Sequence, residues 1–294
     1  MQKTTYKTIL LITKTGHAPA NSLAKTISVW LADHGCATTL CAANELPKRS
    51  LPDNIDLAIV LGGDGTMLGV GRNLAGKDIP ILGINFGRVG FLTISDPDKW
   101  QETLERCFHG ELLLQSRLTL QWTLTRNGTI RNVGNAVNDV VISHGPLARL
   151  VCINIRINDE DMGLLRCDGI ILASPIGSSG YTASAGGPIL FAKTDAFVFT
   201  PICPFLRSVS PMVFPSNVSM TVTLQASSTD TYLTVDGQEG YPLANGDCIE
   251  IKAKSRSVHF LGKQELFFER LRSRGLVLEQ TYVRQGQMKA LNEL

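Results

Sequence analysis

The sequence predicts an α/β domain with a doubly wound, mostly parallel sheet, followed by a β-rich, sandwich-like domain and a C-terminal helical segment. In the first third of the chain, continuous apolar runs alternate with helical periods, which is typical of strands buried on both faces. From Arg117 onward, apolar residues recur at every second position, which is typical of strands with one buried face. We therefore expect domains at residues 1–115 and 116–262, with a helix and tail at 263–294 that pack back on the first domain.

The elements of the first domain follow from capping residues and apolar runs. Asn21 is a favourable N-cap and Gly35 a favourable stop for one helix, and Asp96 followed by Pro97 predicts the start of another. The predicted strands cover residues 8–12, 57–61 and 79–84, and the predicted helices cover residues 21–34, 66–75 and 97–109.

The second domain is assigned by its period of two. Asn127-Gly128 is a strong hairpin-turn signal after one alternating run, and residues 151–157 and 218–224 alternate again. A helical pattern at residues 263–273 precedes a tail without a clear pattern.

Composition excludes several classes of protein. The 294 residues are 44% hydrophobic and 18% charged with a net charge of +2, which excludes a disordered or fibrous chain. Lysine and arginine are scattered, so no nucleic-acid partner or anionic membrane is expected. The 7 cysteines include no C-x-x-C pair, which favours reduced thiols over disulfides or zinc. The first apolar run is too short for a signal peptide, and no run could span a membrane, so we expect a cytoplasmic protein.

A glycine-rich loop follows the apolar run at residues 57–61 and opens a predicted helix. Glycines at such a turn let an anion approach the backbone amides, so we predict a phosphate-binding loop formed by Gly62, Gly63, Gly65 and Thr66. The sequence is neither G-x-G-x-x-G nor a P-loop, and a simple tight turn is the alternative. Asp64 would repel phosphate unless a metal or a hydroxyl group lay between them. A carboxylate beside a phosphate cradle suits phosphoryl transfer to an alcohol, which indicates a kinase.

The GGDGT motif resembles the superfamily that contains NAD kinases, diacylglycerol and sphingosine kinases and, more distantly, 6-phosphofructokinases. Three further stretches are similar to bacterial NAD kinases: GINFGRVGFL at residues 83–92, the Asn-Asp pair at 138–139, and DGIILASPIGSSGYTASAGGPIL at 168–190. The similarity extends from about residue 57 to the DGQ at residues 236–238.

This resemblance implies transfer of the γ-phosphoryl group of ATP to the 2′-hydroxyl of the adenosine ribose of NAD. Asp64 would contact that ribose and accept its proton, with Gly65 beside it. ATP is the implied co-substrate, and a divalent cation such as Mg²⁺ would arrive with it rather than on fixed protein ligands. Members of the family are commonly homodimers or homotetramers that share the site between subunits.

The resemblance also implies a set of NAD-binding residues. Asn138 and Asp139 would bind the adenosine half, although an Asx turn is the alternative for that pair. Arg166 and Asp168 would face the nicotinamide nucleoside, and they would share one face if residues 170–173 are a strand. A surface ion pair is the alternative for these two. The full set is Asp64, Gly65, Asn138, Asp139, Arg149, Arg166, Asp168, Ser179, Gly180, Tyr181, Thr182, Ala183, Ser184 and Gln238.

Two other functions compete with this interpretation. A lipid or sugar kinase of the same superfamily would have a hydrophobic or sugar-sized acceptor groove in place of the constellation of Asn138, Asp139 and residues 179–184. A non-catalytic NAD-binding sensor would be indifferent to the substitution Asp64→Asn. The chain also departs from many members of the family at Gly69, where they carry a basic residue.

Overall fold

The computed structural model describes residues 6–48, 50–52, 54–86, 90, 92–146, 150–206, 209–225, 230–262, 267–273 and 275–277. The chain divides into two compact units, residues 1–264 and residues 265–294. None of the described helices is long and apolar enough to cross a bilayer.

Parallel strands alternate with helices in the first part of the chain, as the sequence predicts. The elements are β1 (Thr8–Thr13), α1 (Ala18–Asp33), β2 (Ala37–Ala42), β3 (Leu57–Leu61), α2 (Asp64–Leu74), β4 (Pro80–Ile84) and α3 (Trp100–Phe108). The strand order is β2-β1-β3-β4, all parallel, which is a doubly wound arrangement. Alternate residues of β3 enter two separate apolar cores on opposite faces of the sheet, so its continuous apolar run has the predicted cause.

Three helix starts differ from the prediction. Helix α3 begins at Trp100 and not at Pro97, because Pro97–Lys99 form a 3₁₀ turn ahead of it. The first helix begins at Ala18 and not after Asn21, because the His17 imidazole caps it by accepting a hydrogen bond from the Ala20 amide at 3.2 Å. Pro19 is tolerated in that first turn because no helical carbonyl needs its amide. Helix α2 begins at Asp64, two residues earlier than predicted, so the aspartate of the glycine loop lies in the helix itself.

The remainder of the first unit is almost entirely strand. The elements are β5 (Leu113–Arg126), β6 (Thr129–Ala136), β7 (Asp139–His144), β8 (Val151–Ile157), β9 (Glu160–Cys167), β10 (Gly169–Ala173), α4 (Tyr181–Ser184), β11 (Ala196–Ile202), β12 (Met212–Pro215), β13 (Ser219–Leu224), β14 (Thr231–Val235), β15 (Glu239–Leu243) and β16 (Cys248–Gly262). The predicted turn at Asn127-Gly128 is confirmed, with φ of 49° and 73°.

Two sheets organise these strands. One has six antiparallel strands in the order β12-β11-β10-β7-β14-β15. The other has ten strands and includes the parallel strands: β16 pairs with β4 in parallel and with β5 and β13 antiparallel. The largest apolar core takes residues from both sheets, including Trp122 of β5 and Phe199 of β11, as in a sandwich. The α/β and β-rich fold class is confirmed.

The predicted domain limits stay a prediction. The limit at residue 115 falls inside β5, and the ten-stranded sheet continues through both regions. In the second unit, α5 (Phe267–Ser273) occupies the later part of the helix expected at 263–273. Residues 263–266 and 278–294 lie outside the described residues.

Candidate functional site

Asp64 lies where β3 ends and α2 begins, half-buried at the amino end of the helix. Its Oδ1 accepts a hydrogen bond from the backbone amide of Leu92 at 3.0 Å. A β-carbon at Gly90 would collide with the Asp64 carboxylate, so the backbone approaches it as closely as glycine allows. The GINFGRVGFL stretch therefore helps to orient Asp64, although residues 87–89 and 91 lie outside the described part.

The backbone amides of the glycine loop differ in whether they already have a hydrogen-bond acceptor in the protein. The Gly62 amide donates to the Ile84 carbonyl at 3.0 Å, so the predicted phosphate contact through this amide is corrected. Gly62 is instead needed for space, since a β-carbon there would strike the Thr66 side chain. The amides of Gly65 and Thr66 lie in the first turn of α2, before the first helical bond from the Met67 amide to the Gly63 carbonyl at 3.1 Å. As amides of the first helical turn, they have no acceptor within the helix.

Gln238 connects α2 to the hairpin between β14 and β15. Its Nε2 donates to the Gly65 carbonyl at 2.8 Å, and its Oε1 accepts from Arg72 at 3.1 Å. The turn before it is confirmed as a hairpin turn, with positive φ at Asp236 and Gly237. Gln238 therefore lies beside the first turn of α2, and both ends of its amide contact the protein.

Asp236 holds the turn that presents Asn138 and Asp139. Its side chain is fully buried. Oδ1 accepts from the amides of Asn138 at 2.7 Å and Asp139 at 3.0 Å, and Oδ2 accepts from the Val137 amide at 3.0 Å. Three backbone donors on one carboxylate fix the path of the chain where β7 starts.

Arg72 completes this network from α2. Its Nη1 lies 2.9 Å from Asp236 Oδ2, and its Nη2 lies 2.9 Å from Glu239 Oε1. The Arg72 side chain is 8% exposed, so the Arg72–Asp236 pair is shielded from water. Nη2 is also near Gly69, 3.8 Å from where a β-carbon would be. Sequence reasoning missed Arg72 and Asp236; an arginine in the apolar run MLGVGRNL was the available signal.

Asp139 is a second buried carboxylate of the site. It is 8% exposed, and no residue of the described chain donates a hydrogen bond to its side chain. Burial, together with the negative charge of Asp236, raises the pKa of Asp139 to about 7. Asp139 is thus able to change its protonation state near neutral pH.

The SPIGSSGYTAS segment packs directly on the Asn138 turn. Ser174 donates to the Val137 carbonyl at 2.6 Å and accepts from the Gly177 amide at 3.2 Å. The Ser174 amide donates to the Asn138 carbonyl at 2.8 Å. A β-carbon at Gly177 would collide with that same carbonyl. The structure therefore places the stretch at residues 168–190 in contact with the Asn-Asp pair at residues 138–139.

The residues of this segment differ in their access to a ligand. Tyr181 is 47% exposed at the start of α4, Ser184 is exposed, and Gly180 and Ala183 are partly exposed. Ser179 is mostly buried and donates to the Ile176 carbonyl at 3.3 Å. Thr182 is fully buried, so the predicted direct contact between Thr182 and NAD is corrected: it packs against Gly187, where a β-carbon would strike it.

Arg166 and Asp168 lie at the opposite end of the six-stranded sheet. Strand β10 pairs Ala173 with Asp139 at one end and Gly169 with Ser143 at the other. Five residue steps at ~3.4 Å each place Asp168 roughly 17 Å from Asp139 along the strands. Asp168 and Asp139 therefore lie at opposite ends of the paired strands β7 and β10.

The surroundings of Arg166 and Asp168 form a second polar cluster. The Arg166 guanidinium lies over the Phe205 ring, 5.8 Å from its centre. His144 Nε2 is 3.9 Å from Asp168 Oδ1, and Asp168 accepts a hydrogen bond from the Cys203 thiol, which raises the pKa of that thiol. Arg166 belongs to β9, whereas Asp168 lies between β9 and β10. Arg149, the remaining predicted contact, lies outside the described residues.

The chain matches two protein-family models, one in each half. Residues 42–112 match the ATP-NAD kinase N-terminal domain, and residues 137–262 match the ATP-NAD kinase C-terminal domain. An NAD kinase of Nitratidesulfovibrio vulgaris (strain Miyazaki F) is 38% identical over 280 residues, covering 94% of this chain and 99% of the relative. An NAD kinase of Lawsonia intracellularis is 36% identical and covers 93% of this chain and 97% of the relative.

Two solved structures share the fold. Yeast NADH kinase complexed with NADH has a TM-score of 0.80 at 22% identity, covering 95% of this chain and 91% of that one. An NAD kinase from Archaeoglobus fulgidus in complex with ATP has a TM-score of 0.69 at 25% identity, covering 90% of this chain and 99% of that one. With both family domains matched in order and relatives similar over nearly their whole length, this chain belongs to the NAD kinase family.

Proposed function

We propose that this protein transfers the γ-phosphoryl group of ATP to the 2′-hydroxyl of the adenosine ribose of NAD, giving NADP and ADP. The observation that carries the proposal is the link between α2 and the Asn138–Asp139 turn. Asp236, Arg72 and Gln238 hold the helix that carries Asp64 against the turn that would bind the adenosine. A single site therefore combines a carboxylate, an anion-facing helix start and a polar nucleoside pocket.

Asp64 orients the acceptor hydroxyl and takes its proton. The bond between the 2′-oxygen and the γ-phosphorus forms as the bond from that phosphorus to the leaving oxygen of ADP breaks. The hydroxyl proton passes to the Asp64 carboxylate. A loose transition state needs little proton removal early, so positioning of the hydroxyl contributes most of the acceleration. The Leu92 amide fixes the carboxylate for that task.

The phosphates of ATP would meet the first-turn amides of α2. Gly65 and Thr66 present N–H groups there, and the helix dipole favours negative charge at the same end. In the described part of the chain, no group of three or more His, Cys, Asp or Glu side chains could hold a metal ion. A divalent cation would be held chiefly by the phosphates, with Asp64 as the nearest carboxylate, and would neutralise their charge.

The adenosine would be held by Asn138 and Asp139 and covered by Tyr181. The amide of Asn138 offers both donors and acceptors, and a protonated Asp139 can donate while an ionised one accepts. The exposed Tyr181 ring offers a flat surface against which a base can stack.

We further propose that the second polar cluster serves the site of another subunit. Asp168 lies at the end of β10 opposite to Asp139, and Arg166 lies beside it on β9, so this cluster is remote from the adenosine contacts. A symmetric homodimer or homotetramer could bring this cluster to a neighbouring Asp64. Size-exclusion chromatography with light scattering tests the assembly, and a purely monomeric, fully active protein would contradict it.

The activity is tested by incubating the protein with ATP and Mg²⁺ and one acceptor at a time. The acceptors are NAD, NADH, diacylglycerol in mixed micelles and fructose 6-phosphate. Formation of NADP, detected with an NADP-specific dehydrogenase, supports the proposal. Phosphorylation of the lipid or sugar with no NADP formed would favour the rival kinases, and NAD binding with no product would favour a sensor.

A further inference from the structure

Helices α1 and α2 cover opposite faces of the parallel sheet, although the strands that precede them are neighbours. Buried residues of α1, such as Ala24 and Ile27, belong to one apolar core, and buried residues of α2, such as Met67 and Val70, belong to another. Strand β1 leads into α1 and β3 leads into α2, and β1 and β3 pair in parallel. The two loops therefore leave the carboxyl edge of the sheet in opposite directions. In open α/β sheets such a divergence leaves a crevice between the loops, and ligands bind there.

Lys14 is the first residue after β1 at this edge. Its backbone amide donates to the Leu61 carbonyl at 2.8 Å, which continues the pairing of β1 with β3 by one residue. Thr13 pairs with Leu61, so Lys14 lies beside Gly62, the first glycine of the loop. Side chains alternate along a strand, and Ile12 enters the core under α2, so the side chain of Lys14 follows it to that face. Lys14 is thus one strand away from the residues that open α2.

A turn holds the backbone of Lys14 in place. The Lys14 carbonyl accepts a hydrogen bond from the His17 amide at 3.2 Å, and Gly16 between them has a φ of 69°. A positive φ at the third residue of a turn is characteristic of type II, which favours glycine there. The His17 ring then caps α1 and meets the Phe86 ring edge-on, with 5.2 Å between the ring centres. Since its amide and its carbonyl are both engaged, Lys14 has its ammonium group left for a ligand.

The ammonium group of Lys14 is not committed to the protein. Lys14 is exposed, and it forms no ion pair within the described part of the chain. By contrast, Arg72, the one cation in the sequence of α2, is bound to Asp236 and Glu239. Neighbouring strands lie ~4.8 Å apart, a gap that the four-carbon stem of lysine spans. Lys14 is therefore an uncommitted cation within reach of the start of α2.

Phosphates at the start of α2 need more positive charge than the helix provides. The terminal phosphate of ATP is almost doubly ionised at neutral pH, and Asp64 adds a further negative charge at the same place. The dipole of the helix is equivalent to a charge of only about +0.5 at this end. A lysine ammonium is a compact point charge that suits phosphate oxygens. The excess of negative charge favours such a cation beside the phosphates, in addition to the metal ion that accompanies ATP.

We propose that Lys14 binds the β- and γ-phosphates of ATP from the β1 side of this crevice, opposite the first-turn amides of α2. The inference rests on the proposed function, which places ATP at these amides. The γ-phosphorus must lie next to the hydroxyl held by Asp64, and Lys14 lies beside Gly62, two residues earlier, so its contacts fall on the phosphates nearest to the reaction and not on the adenine. Negative charge builds up on the β-phosphate as the bond to the leaving oxygen breaks, and the ammonium group stabilises it.

Calorimetric titration of the full-length protein with a non-hydrolysable ATP analogue and Mg²⁺ tests the contact. Lys14→Met should raise the Kd for the analogue about tenfold or more, since a charge-assisted contact is lost. Lys14→Arg keeps the positive charge and should stay within about threefold of the wild type. Lys25→Met removes an exposed lysine of α1 as the matched control and should leave this Kd within about twofold. The Kd for NAD should be unchanged in all three variants.

NADP formation separates this inference from the proposed function. At saturating NAD, Lys14→Met should lower kcat/KM for ATP about tenfold or more, while the KM for NAD stays unchanged. An unchanged Kd for the ATP analogue in Lys14→Met, equal weakening in Lys25→Met, or a change confined to the Kd for NAD would overturn the role of Lys14. A wild type that forms no NADP would instead refute the proposed function, and the titration, which needs no turnover, would still report on Lys14.

Discussion

Arg72 and Asp236 form a buried ion pair, Nη1 to Oδ2 at 2.9 Å, that joins residues 164 positions apart in the chain. Arg72 lies on the helix that begins with Asp64, and Asp236 holds the amides of the turn that carries Asn138 and Asp139. This contact, together with the hydrogen bonds of Gln238, holds the two halves of the proposed site in register. Its removal should affect both folding and catalysis.

Replacing Asp236 with asparagine should destabilise the protein strongly. The amide keeps the shape but removes the charge that compensates Arg72, and it turns one acceptor into a donor that faces N–H groups. Loss of one member of a buried pair costs about 3–5 kcal/mol. Urea unfolding measures the change. Glu239→Gln is the matched control, because Glu239 is the exposed partner of Arg72 and should contribute less than about 1 kcal/mol. Equal losses in the two variants would contradict the assignment.

Gln238→Glu should impair the reaction without unfolding the protein. The substitution is isosteric and keeps an acceptor for Arg72, but it replaces the donor to the Gly65 carbonyl with an oxygen that repels it. The first turn of α2 should shift, and a loss of about 1.4 kcal/mol would lower kcat/KM about tenfold. Steady-state kinetics with NAD and ATP measure this. Unchanged kcat/KM would show that the Gln238 link does not position the loop.

The protonation of Asp139 should make stability depend on pH. Its pKa is raised to about 7 in the folded protein from an ordinary value of 3.8, so the folded state binds the proton more tightly than the unfolded state. The group therefore costs no stability below pH 4, and its cost grows as the pH rises from about 4 to 7. By linkage the full cost is at most about 4 kcal/mol.

Asp139→Asn should relieve that cost. Compared with the wild type, the variant should unfold at a higher temperature at pH 8, and the difference should shrink as the pH falls to 4. Thermal unfolding at a series of pH values gives both curves. A difference that is constant with pH would mean that Asp139 titrates normally in the folded protein.

Gly177→Ala should disrupt the contact between the SPIGSSG segment and the Asn138 turn. The added methyl group meets a backbone carbonyl that has no room to move, which costs about 1–3 kcal/mol. Gly240→Ala is the control, since nothing lies within 4 Å of a β-carbon there. Calorimetry should show a lower Tm for the first variant alone, together with a higher KM for NAD. Similar behaviour of the two alanine variants would refute the close contact.

Strands and turns that depend only on neighbouring residues could be predicted well from the sequence. The buried run at Leu57–Leu61 and the Asn127-Gly128 turn are local patterns with a strong physical cause, and each is confirmed. The start of the first helix was wrong because two capping residues compete within a few positions. The His17 ring, which caps the helix earlier, is a weaker sequence signal than Asn21.

The site was less predictable where it depends on distant contacts. Asp236 was recognised only as part of a turn, and Arg72 only as one residue of an apolar helix, because nothing local reveals that they meet. The use of the Gly62 amide by the Ile84 carbonyl follows from sheet register, and the burial of Thr182 follows from the packing of Gly187. Such contacts join residues from different elements, so they can be seen only in the folded chain.

The role of Asp64 is tested most directly by Asp64→Asn beside Asp98→Asn, which changes an exposed aspartate in the same way. NADP formation from NAD, ATP and Mg²⁺ is measured for both, together with the Kd for NAD. We expect kcat to fall about 100-fold or more for Asp64→Asn alone, while Tm and the Kd for NAD change little. NADP formation by Asp64→Asn at the wild-type rate would contradict it.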